Sequence, residues 1–247
     1  ITWRSVCIYR GGFLLQADQK KMPLVAAMLK YKKEQVYPFH TPGHKGGRGM
    51  EPLLAGELGA GALQMDVSLM AELDDIHCPE GCIAAAQTLA AQLYGSDRCF
   101  FAVNGTTQAI QAMLMTAVKP DGKVLIPRNA HRSVAGGLLL GDLEPVYVLP
   151  QFDAVFGINT QVTAGQIEEA LQKDPSIKAV FLTSPNYYGQ AADIKTIAQI
   201  AHKYGAALLV DEAHGPHLGF SELLPPSSME CGADACAQST HKILGAM

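Results

Sequence analysis

The sequence predicts an α/β fold in which a mainly parallel sheet is covered by helices. Short, continuously apolar runs recur along the second half of the chain and alternate with helical segments, a pattern typical of parallel strands buried on both faces. The 247 residues can bury a large core, and 48% of them are hydrophobic against 17% charged. A net charge of −4 and a pI near 6.1 argue against a protein that binds nucleic acid or an anionic membrane.

The predicted elements follow in order along the chain. Apolar residues three and four apart predict helices over Met22–Lys33 and Glu80–Tyr94, separated by a loop rich in Gly, Pro and His over Pro38–Gly49. Continuous apolar runs predict the strands Cys99–Val103, Lys123–Ile126, Pro145–Leu149, Ala179–Leu182, Ala206–Val210 and Ala233–Ala237. Segments of helical spacing between them predict the helices Gln108–Val118, His131–Leu140, Gly165–Lys173 and Ile194–Tyr204.

Targeting and redox signals favour the cytoplasm. The sequence has no run of about 18 apolar residues that would span a membrane, and Ile1–Leu15 lacks the continuous apolar region of a signal peptide. The six cysteines match no zinc-binding spacing, so we expect no metal site and interpret them as buried, reduced thiols. Reduced thiols are typical of the cytoplasm, and neither nucleic acid nor a membrane is an expected partner.

Polar residues follow the predicted strands, at the edge where open parallel sheets bind ligands. After the first apolar run come Gly105, Thr106 and Thr107, at the start of a helix. Free backbone N–H groups and two hydroxyls would suit a phosphate there, although threonine also serves as an ordinary helix cap. Neither the Walker phosphate loop nor the dinucleotide-binding glycine motif occurs, so both of those nucleotide sites are excluded.

Three further residues occupy the same kind of position. His131 follows the strand Lys123–Ile126, where its ring would either stack on a flat cofactor or face solvent. Asp211 ends a buried strand, and a buried carboxylate needs a partner such as a pyridinium N–H. Mg²⁺ held by Asp211 and Glu212 is a weaker alternative, because neighbouring strand residues point to opposite faces. Lys242 lies among hydroxyls after the last strand and is a candidate nucleophile for an aldehyde.

These features in combination match the needs of pyridoxal phosphate (PLP). That cofactor requires an anion site for its phosphate, a residue stacked on its ring, a carboxylate at its pyridine nitrogen and a lysine for its aldehyde. Thr106, His131, Asp211 and Lys242 supply these four groups in one order along the chain. Each residue alone has an ordinary structural explanation, and the combination is what favours a PLP enzyme.

The FHTPGHK motif that begins at Phe39 and the STHK motif that ends at Lys242 are specific in combination. With them, the sequence resembles the bacterial fold-type-I, PLP-dependent ornithine/lysine/arginine decarboxylases over roughly residues 20–247. The Asp-x-Ala-His motif at Asp211 is shared by many type-I PLP enzymes. The segments that carry the resemblance are Pro38–Gly46, Leu73–His77, Pro79–Gly81, Asn104–Thr107, Arg128–Ser133, Asp211–Gly215 and Ser239–Lys242.

The resemblance implies a role for each matching residue. Lys242 would bind the cofactor aldehyde covalently, Asp211 would keep the pyridine nitrogen protonated, and His131 would stack on the ring. The residues implied to hold the phosphate or to pack around the ring are Gly105, Thr106, Thr107, Ala213, His214, Ser239 and His241. The loop that contains His44 and Lys45 would lie close to the active site.

The reaction implied by the resemblance is α-decarboxylation of a basic amino acid, arginine, lysine or ornithine, to a polyamine or its precursor. Another type-I PLP reaction, such as aminotransfer or carbon–sulfur lysis, is the first alternative. A non-catalytic fragment that binds PLP or a partner is the second. The resemblance also implies a homodimer or a larger homo-oligomer.

The predicted domains are an unassigned extension at 1–20, a helix and FHTPGHK loop segment at 21–78, and a PLP-binding large domain at 79–247. The chain begins without Met and ends five residues after Lys242. We therefore expect an incomplete large domain and no small C-terminal domain. Residues that select the substrate side chain are expected in the missing part.

Overall fold

The computed structural model describes residues 18–246 and divides them into two compact units, 18–101 and 102–246. Most of the predicted extension at 1–20, and Cys7 within it, lies outside the described residues. The domain bounds expected from the sequence stay a prediction. Within residues 18–246, no helix is long and apolar enough to cross a membrane.

The unit 18–101 is helical. Its helices are α1 (Pro23–Lys33), α2 (Pro52–Leu58), α3 (Ala60–Leu63) and α4 (Cys82–Leu93), with a 3₁₀ turn at Lys45–Gly47. Helices α1 and α4 confirm the two predicted helices and pack against each other. The sequence pattern missed α2 and α3, because seven and four residues are too few to show a helical period.

A single carboxylate organises the start of α4. Asp74 has the left-handed φ of 71°, which few residues other than glycine adopt. Its carboxylate accepts hydrogen bonds from five backbone N–H groups, those of Asp75, Glu80, Gly81, Ile83 and Ala84. The N–H of Glu80 and the other backbone donors hold the pKa of Asp74 well below its usual range. Asp74 therefore satisfies three of the four N–H groups that the start of α4 leaves open, those of Gly81, Ile83 and Ala84.

The unit 102–246 is an α/β layer structure. Its strands are β1 (Lys123–Pro127), β2 (Glu144–Val148), β3 (Phe152–Asp153), β4 (Ile158–Asn159), β5 (Ile177–Thr183), β6 (Ala207–Glu212) and β7 (Ala235–Gln238). Its helices are α5 (Gly105–Ala117), α6 (Arg132–Gly141), α7 (Ala164–Lys173), α8 (Ile194–Lys203) and α9 (Thr240–Ile243). The main sheet has the order β2-β1-β5-β6-β7 with every pair parallel, and β3 and β4 form a separate antiparallel pair. The predicted mainly parallel sheet flanked by helices is therefore confirmed.

Two apolar cores lie on the two faces of this sheet. In β6, Leu208 and Val210 belong to the core shared with α7 and α8, whereas Leu209 belongs to the core shared with α5 and α6. Side chains alternate between the faces of a strand. Asp211 therefore lies on the α5 and α6 face, and Glu212 lies on the face of α7 and α8.

Two expectations were wrong. The apolar run Cys99–Val103 forms no strand in the described chain. Two of its residues, Phe100 and Val103, are 74% and 70% exposed. An apolar run becomes a strand only where a neighbouring strand pairs with it, and no described strand does so here. The five described cysteines are free thiols as predicted, but Cys78 is exposed and the other four are half-buried.

We expect Asp74→Asn to lower the free energy of unfolding at neutral pH. A single amide oxygen would replace the two oxygens that serve five N–H groups, and the new NH₂ group would face those donors. The low folded pKa contributes stability above the ordinary value of 3.8, so the difference from the wild type should shrink as the pH falls below it. Urea unfolding from neutral pH to about pH 3 measures both effects.

The exposed carboxylate of Glu72, two residues away, offers the matched control Glu72→Gln. If both variants unfolded at the same urea concentration at every pH, Asp74 would not be the organising group of this turn.

Candidate functional site

The carboxyl ends of neighbouring strands gather the predicted site residues of the unit 102–246. Thr183 at the end of β5 is paired in register with Asp211 of β6, and Glu212 is paired with Gln238 of β7. His131 follows β1, and the segment that carries Lys242 follows β7. In a parallel sheet these ends share one edge, which is where such sheets bind ligands.

Asp211 is the buried acid of this edge, with 4% of its surface exposed. Its Oδ1 accepts the N–H of Ala213 at 3.1 Å, and its second oxygen receives no hydrogen bond from the described residues. Burial raises the pKa of Asp211, although the charges of Lys242, His131 and His214 act in the opposite direction. The carboxylate thus lies close to three basic groups and has a free oxygen for a further donor.

Lys242 meets His214 beside this acid. Lys242 is exposed on the short helix α9, and its Nζ lies 3.2 Å from Nε2 of His214. Burial first, and then the nearby Lys242 charge, lower the pKa of His214, which favours the neutral imidazole as acceptor of the Lys242 N–H. The ring of Tyr187 stands edge-on to His214, with 6.2 Å between ring centres.

His131 is held in place by the start of α6, where it is the residue before the first turn. Its Nδ1 accepts the N–H of Ser133 at 3.2 Å and lies 2.8 Å from the Ser133 Oγ. These contacts fix the orientation of an otherwise exposed ring. The predicted helix over His131–Leu140 is confirmed with a start at Arg132, because the His131 side chain caps it.

The start of α5 is an uncapped helix terminus. Gly105 has φ of 69°, and the residue before it, Asn104, makes no side-chain cap, so neither Thr106 nor Thr107 is the capping residue. Gln108 instead accepts the N–H of Asn104 at 3.0 Å. Helix α5 contacts β6 and β7, and its 13 residues align their dipoles toward this end. The free N–H groups there suit an anion.

Ser239 and His241 follow β7 and complete the predicted set within this unit. Ser239 is buried, with 6% of its surface exposed, and its Oγ lies 3.5 Å from Nε2 of His241. Ser239 also precedes the first residue of α9. Both residues thus lie on the short segment that carries Lys242.

Glu212 has a structural role that the sequence did not predict. It is fully buried, and its Oε1 accepts the N–H and the hydroxyl of Ser228, both at 2.7 Å. Its Oε2 accepts the amide of Gln238 at 2.7 Å. Glu212 therefore joins β6, β7 and the loop at Ser228. Its only signal in the sequence was a second acid beside Asp211, which suggested Mg²⁺ as a weaker alternative and no structural role.

The Mg²⁺ alternative finds no support in this geometry. Both oxygens of Glu212 are occupied by N–H and O–H donors, on the face opposite Asp211. Among residues 18–246, no group of three or more His, Cys, Asp or Glu side chains is placed to hold a metal ion.

The side chains of His44 and Lys45 lie in the other unit and stabilise their own loop. His44 Nδ1 accepts the N–H of Gly47 at 3.2 Å, so its Nε2 donates to Asp66 at 3.0 Å. The Lys45 amine donates to the carbonyl of His40. A role for this loop in an active site stays a prediction.

The fold is that of the large domain of fold-type-I PLP-dependent enzymes, as the sequence predicted. A family model described as the major domain of Orn/Lys/Arg decarboxylases matches residues 22–247. The chain therefore belongs to the Orn/Lys/Arg decarboxylase family.

The chain is also similar to individual relatives. It is 40% identical over 230 residues to an arginine decarboxylase of Bacillus cereus, covering 93% of this chain and 50% of that protein. An arginine decarboxylase of Bacillus subtilis is likewise 40% identical over 230 residues, with 93% and 47% covered. The chain thus spans about half the length of these curated relatives.

Solved structures of lysine decarboxylases have a similar fold. The constitutive lysine decarboxylase of Escherichia coli superposes with a TM-score of 0.73 at 27% identity, covering 92% of this chain and 34% of that one. A lysine decarboxylase from Francisella novicida gives a TM-score of 0.76 at 26% identity, covering 90% and 33%.

The family implies PLP, and the donor set fits that cofactor. Asp211 has a free carboxylate oxygen, Lys242 offers an amine, and the uncapped start of α5 offers N–H groups to a phosphate. The hydroxyl of Thr183 is buried without a hydrogen-bond partner among the described residues. Ala179 and Phe181 place this residue on the same sheet face as Asp211, so a polar group of a ligand there would satisfy it.

We expect Glu212→Gln to destabilise the unit 102–246 by about 1–3 kcal/mol. The charged acceptor of three hydrogen bonds would become a neutral amide, so the two bonds from Ser228 would lose their charge assistance and the Gln238 amide would have to turn from donor to acceptor. The matched control is Glu230→Gln in the same loop, where an exposed carboxylate accepts from Ser227. Chemical denaturation compares the two variants, and an equal loss in both would contradict the structural role of Glu212.

Proposed function

We propose that the protein containing this chain decarboxylates a basic amino acid, arginine, lysine or ornithine, with PLP as its cofactor. The observation that carries the proposal is the convergence of Asp211, Lys242, His131 and the start of α5 on one sheet edge. Helix α5 runs parallel to α6, because Gln111 lies beside Gly136 and Met115 lies beside Gly141, so both helices begin at that edge. Membership of the Orn/Lys/Arg decarboxylase family supports the same reaction. The names of the relatives, arginine and lysine decarboxylases, support a basic substrate.

In the proposed site, different residues of the chain bind different parts of PLP. Lys242 would hold the cofactor through its aldehyde, and His131 would lie against the ring in the orientation that Ser133 fixes. The phosphate would be held by Gly105, Thr106, Thr107, Ser239 and His241. The small side chain of Ala213 leaves room for the ring, since it adds only one carbon beyond the backbone.

Asp211 contributes the main electrostatic effect. PLP, when bound, supplies an electron sink for the bond that breaks at the substrate α-carbon. The buried Asp211 carboxylate would keep a proton on the pyridine nitrogen, because the free oxygen needs a donor and the surroundings exclude water. A preorganised charge of this kind is usually among the largest contributions to catalysis.

The partners and location of the whole protein are part of the proposal. Its substrate would be a small amino acid, and a homodimer or larger homo-oligomer in the cytoplasm fits the properties of fold-type-I enzymes. The residues that choose between arginine, lysine and ornithine are assigned to no position of this chain.

We expect Lys242→Ala to abolish covalent attachment of PLP, and Asp211→Asn to keep attachment but slow CO₂ release at least about 100-fold. The first removes the only amine beside Asp211 among the described residues, and the second removes the charge that holds the ring proton. Borohydride trapping with peptide mass spectrometry measures attachment. Release of CO₂ from arginine, lysine and ornithine by the full-length protein measures activity.

Lys203→Ala is the matched control, because Lys203 is an exposed lysine paired with Glu168 at 2.8 Å. It should leave both measurements unchanged. Keto acids without CO₂ would indicate an aminotransferase instead, and attachment without any turnover would indicate a binding protein. Either result would overturn the proposed decarboxylase.

A further inference from the structure

The contact with His214 is the one hydrogen bond that the Lys242 side chain makes among the described residues. Lys242 Nζ lies 3.2 Å from His214 Nε2, and α9 leaves the rest of the lysine exposed. A lysine on a solvent-facing turn would otherwise sample many rotamers, and each fixed rotamer costs entropy. His214 is therefore the group that limits where this amine is found.

An N–H···N contact needs one donor and one acceptor. A charged Lys242 amine can donate but cannot accept a hydrogen bond, so the bond exists only when Nε2 of His214 carries no proton. A protonated His214 would turn the contact into two donors and two like charges. The hydrogen bond should therefore break as the imidazole gains a proton.

The charged neighbours of His214 come from three other elements. Lys242 on α9 and His131 before α6 oppose protonation of the imidazole, whereas Asp211 at the end of β6 favours it. Burial opposes it most strongly, and the ring of Tyr187 stands edge-on to the imidazole. Together these effects favour the neutral imidazole, which agrees with its role as acceptor of the Lys242 N–H.

We propose that His214 is a positioning residue for Lys242. Its Nε2 accepts an N–H of the Lys242 amine and holds that amine at the sheet edge near Asp211, where it would react with the cofactor aldehyde. This inference rests on the proposed function and adds to it a residue that acts through the lysine rather than on the substrate. Neutral His214 presents the amine, and protonated His214 releases it.

The test follows the capture of PLP by the cofactor-free, full-length protein at several pH values. In that reaction the amine nitrogen forms a C=N bond with the aldehyde carbon, and the aldehyde oxygen leaves with two protons as water. Borohydride supplied in the assay then reduces the C=N bond, and mass spectrometry of the peptide counts modified Lys242. Lys178, exposed at the opposite end of β5, reports the background reactivity of a surface lysine.

Two variants separate positioning from mere ring packing. His214→Ala removes the acceptor, and capture by Lys242 should slow about tenfold at neutral pH. His214→Gln keeps an acceptor oxygen that gains no proton in this range, so it should capture PLP at close to the wild-type rate. The wild type should lose rate as the pH falls through the His214 titration, beyond the loss seen at Lys178, and His214→Gln should not.

The outcomes distinguish this inference from the proposed function. If the wild type formed no adduct at Lys242, the proposed PLP site itself would fail. If Lys242 were modified equally fast and with the same pH profile in the wild type and His214→Gln, His214 would not position the amine. If His214→Ala did not fold, the comparison of the wild type with His214→Gln would still decide the question. A His214→Gln variant as slow as His214→Ala at every pH would show that the ring acts by its shape and overturn the proposal.

Discussion

Strand β6 ends in two adjacent buried carboxylates, and the rest of the site depends on how each one is satisfied. Glu212 points toward the α7 and α8 core and is saturated by Ser228 and Gln238. Asp211 points the other way and receives one N–H, that of Ala213. Burying a carboxylate without donors is costly. The carboxylate of Glu212 is therefore fully hydrogen-bonded within the chain, whereas the carboxylate of Asp211 can still accept a hydrogen bond from a ligand.

The parallel sheet converts this local chemistry into a site. Its crossovers bring the ends of β1, β5, β6 and β7 to one edge. Different local contacts then fix the residues that follow these strands. His131 is fixed by Ser133. Helix α5, which follows no strand of the sheet, begins at Gly105 without a side-chain cap. Lys242 is held by His214. The groups that would hold a phosphate, a ring and an aldehyde thus meet without any one loop carrying them all.

Patterns that repeat over ten or so residues were the ones that predicted the fold correctly. The helices α1, α4, α7 and α8 follow from such patterns, and the five strands of the main sheet follow from continuous apolar runs that alternate with helical segments. The sequence patterns did not predict short elements, such as the β3 and β4 pair, whose strands have two residues each. The run Cys99–Val103 was misjudged because hydrophobicity alone does not supply a neighbouring strand.

The sequence by itself determined which chemical groups the site contains and their order along the chain. Asp211, His131 and Lys242 were identified because they follow predicted strands, and the surrounding motifs indicated the family. Only the tertiary structure decided that Asp211 and Glu212 have different partners, and that His214 meets Lys242. The reason is physical: the face on which a strand residue lies, and the partner it meets, depend on helices and loops packed from distant parts of the chain.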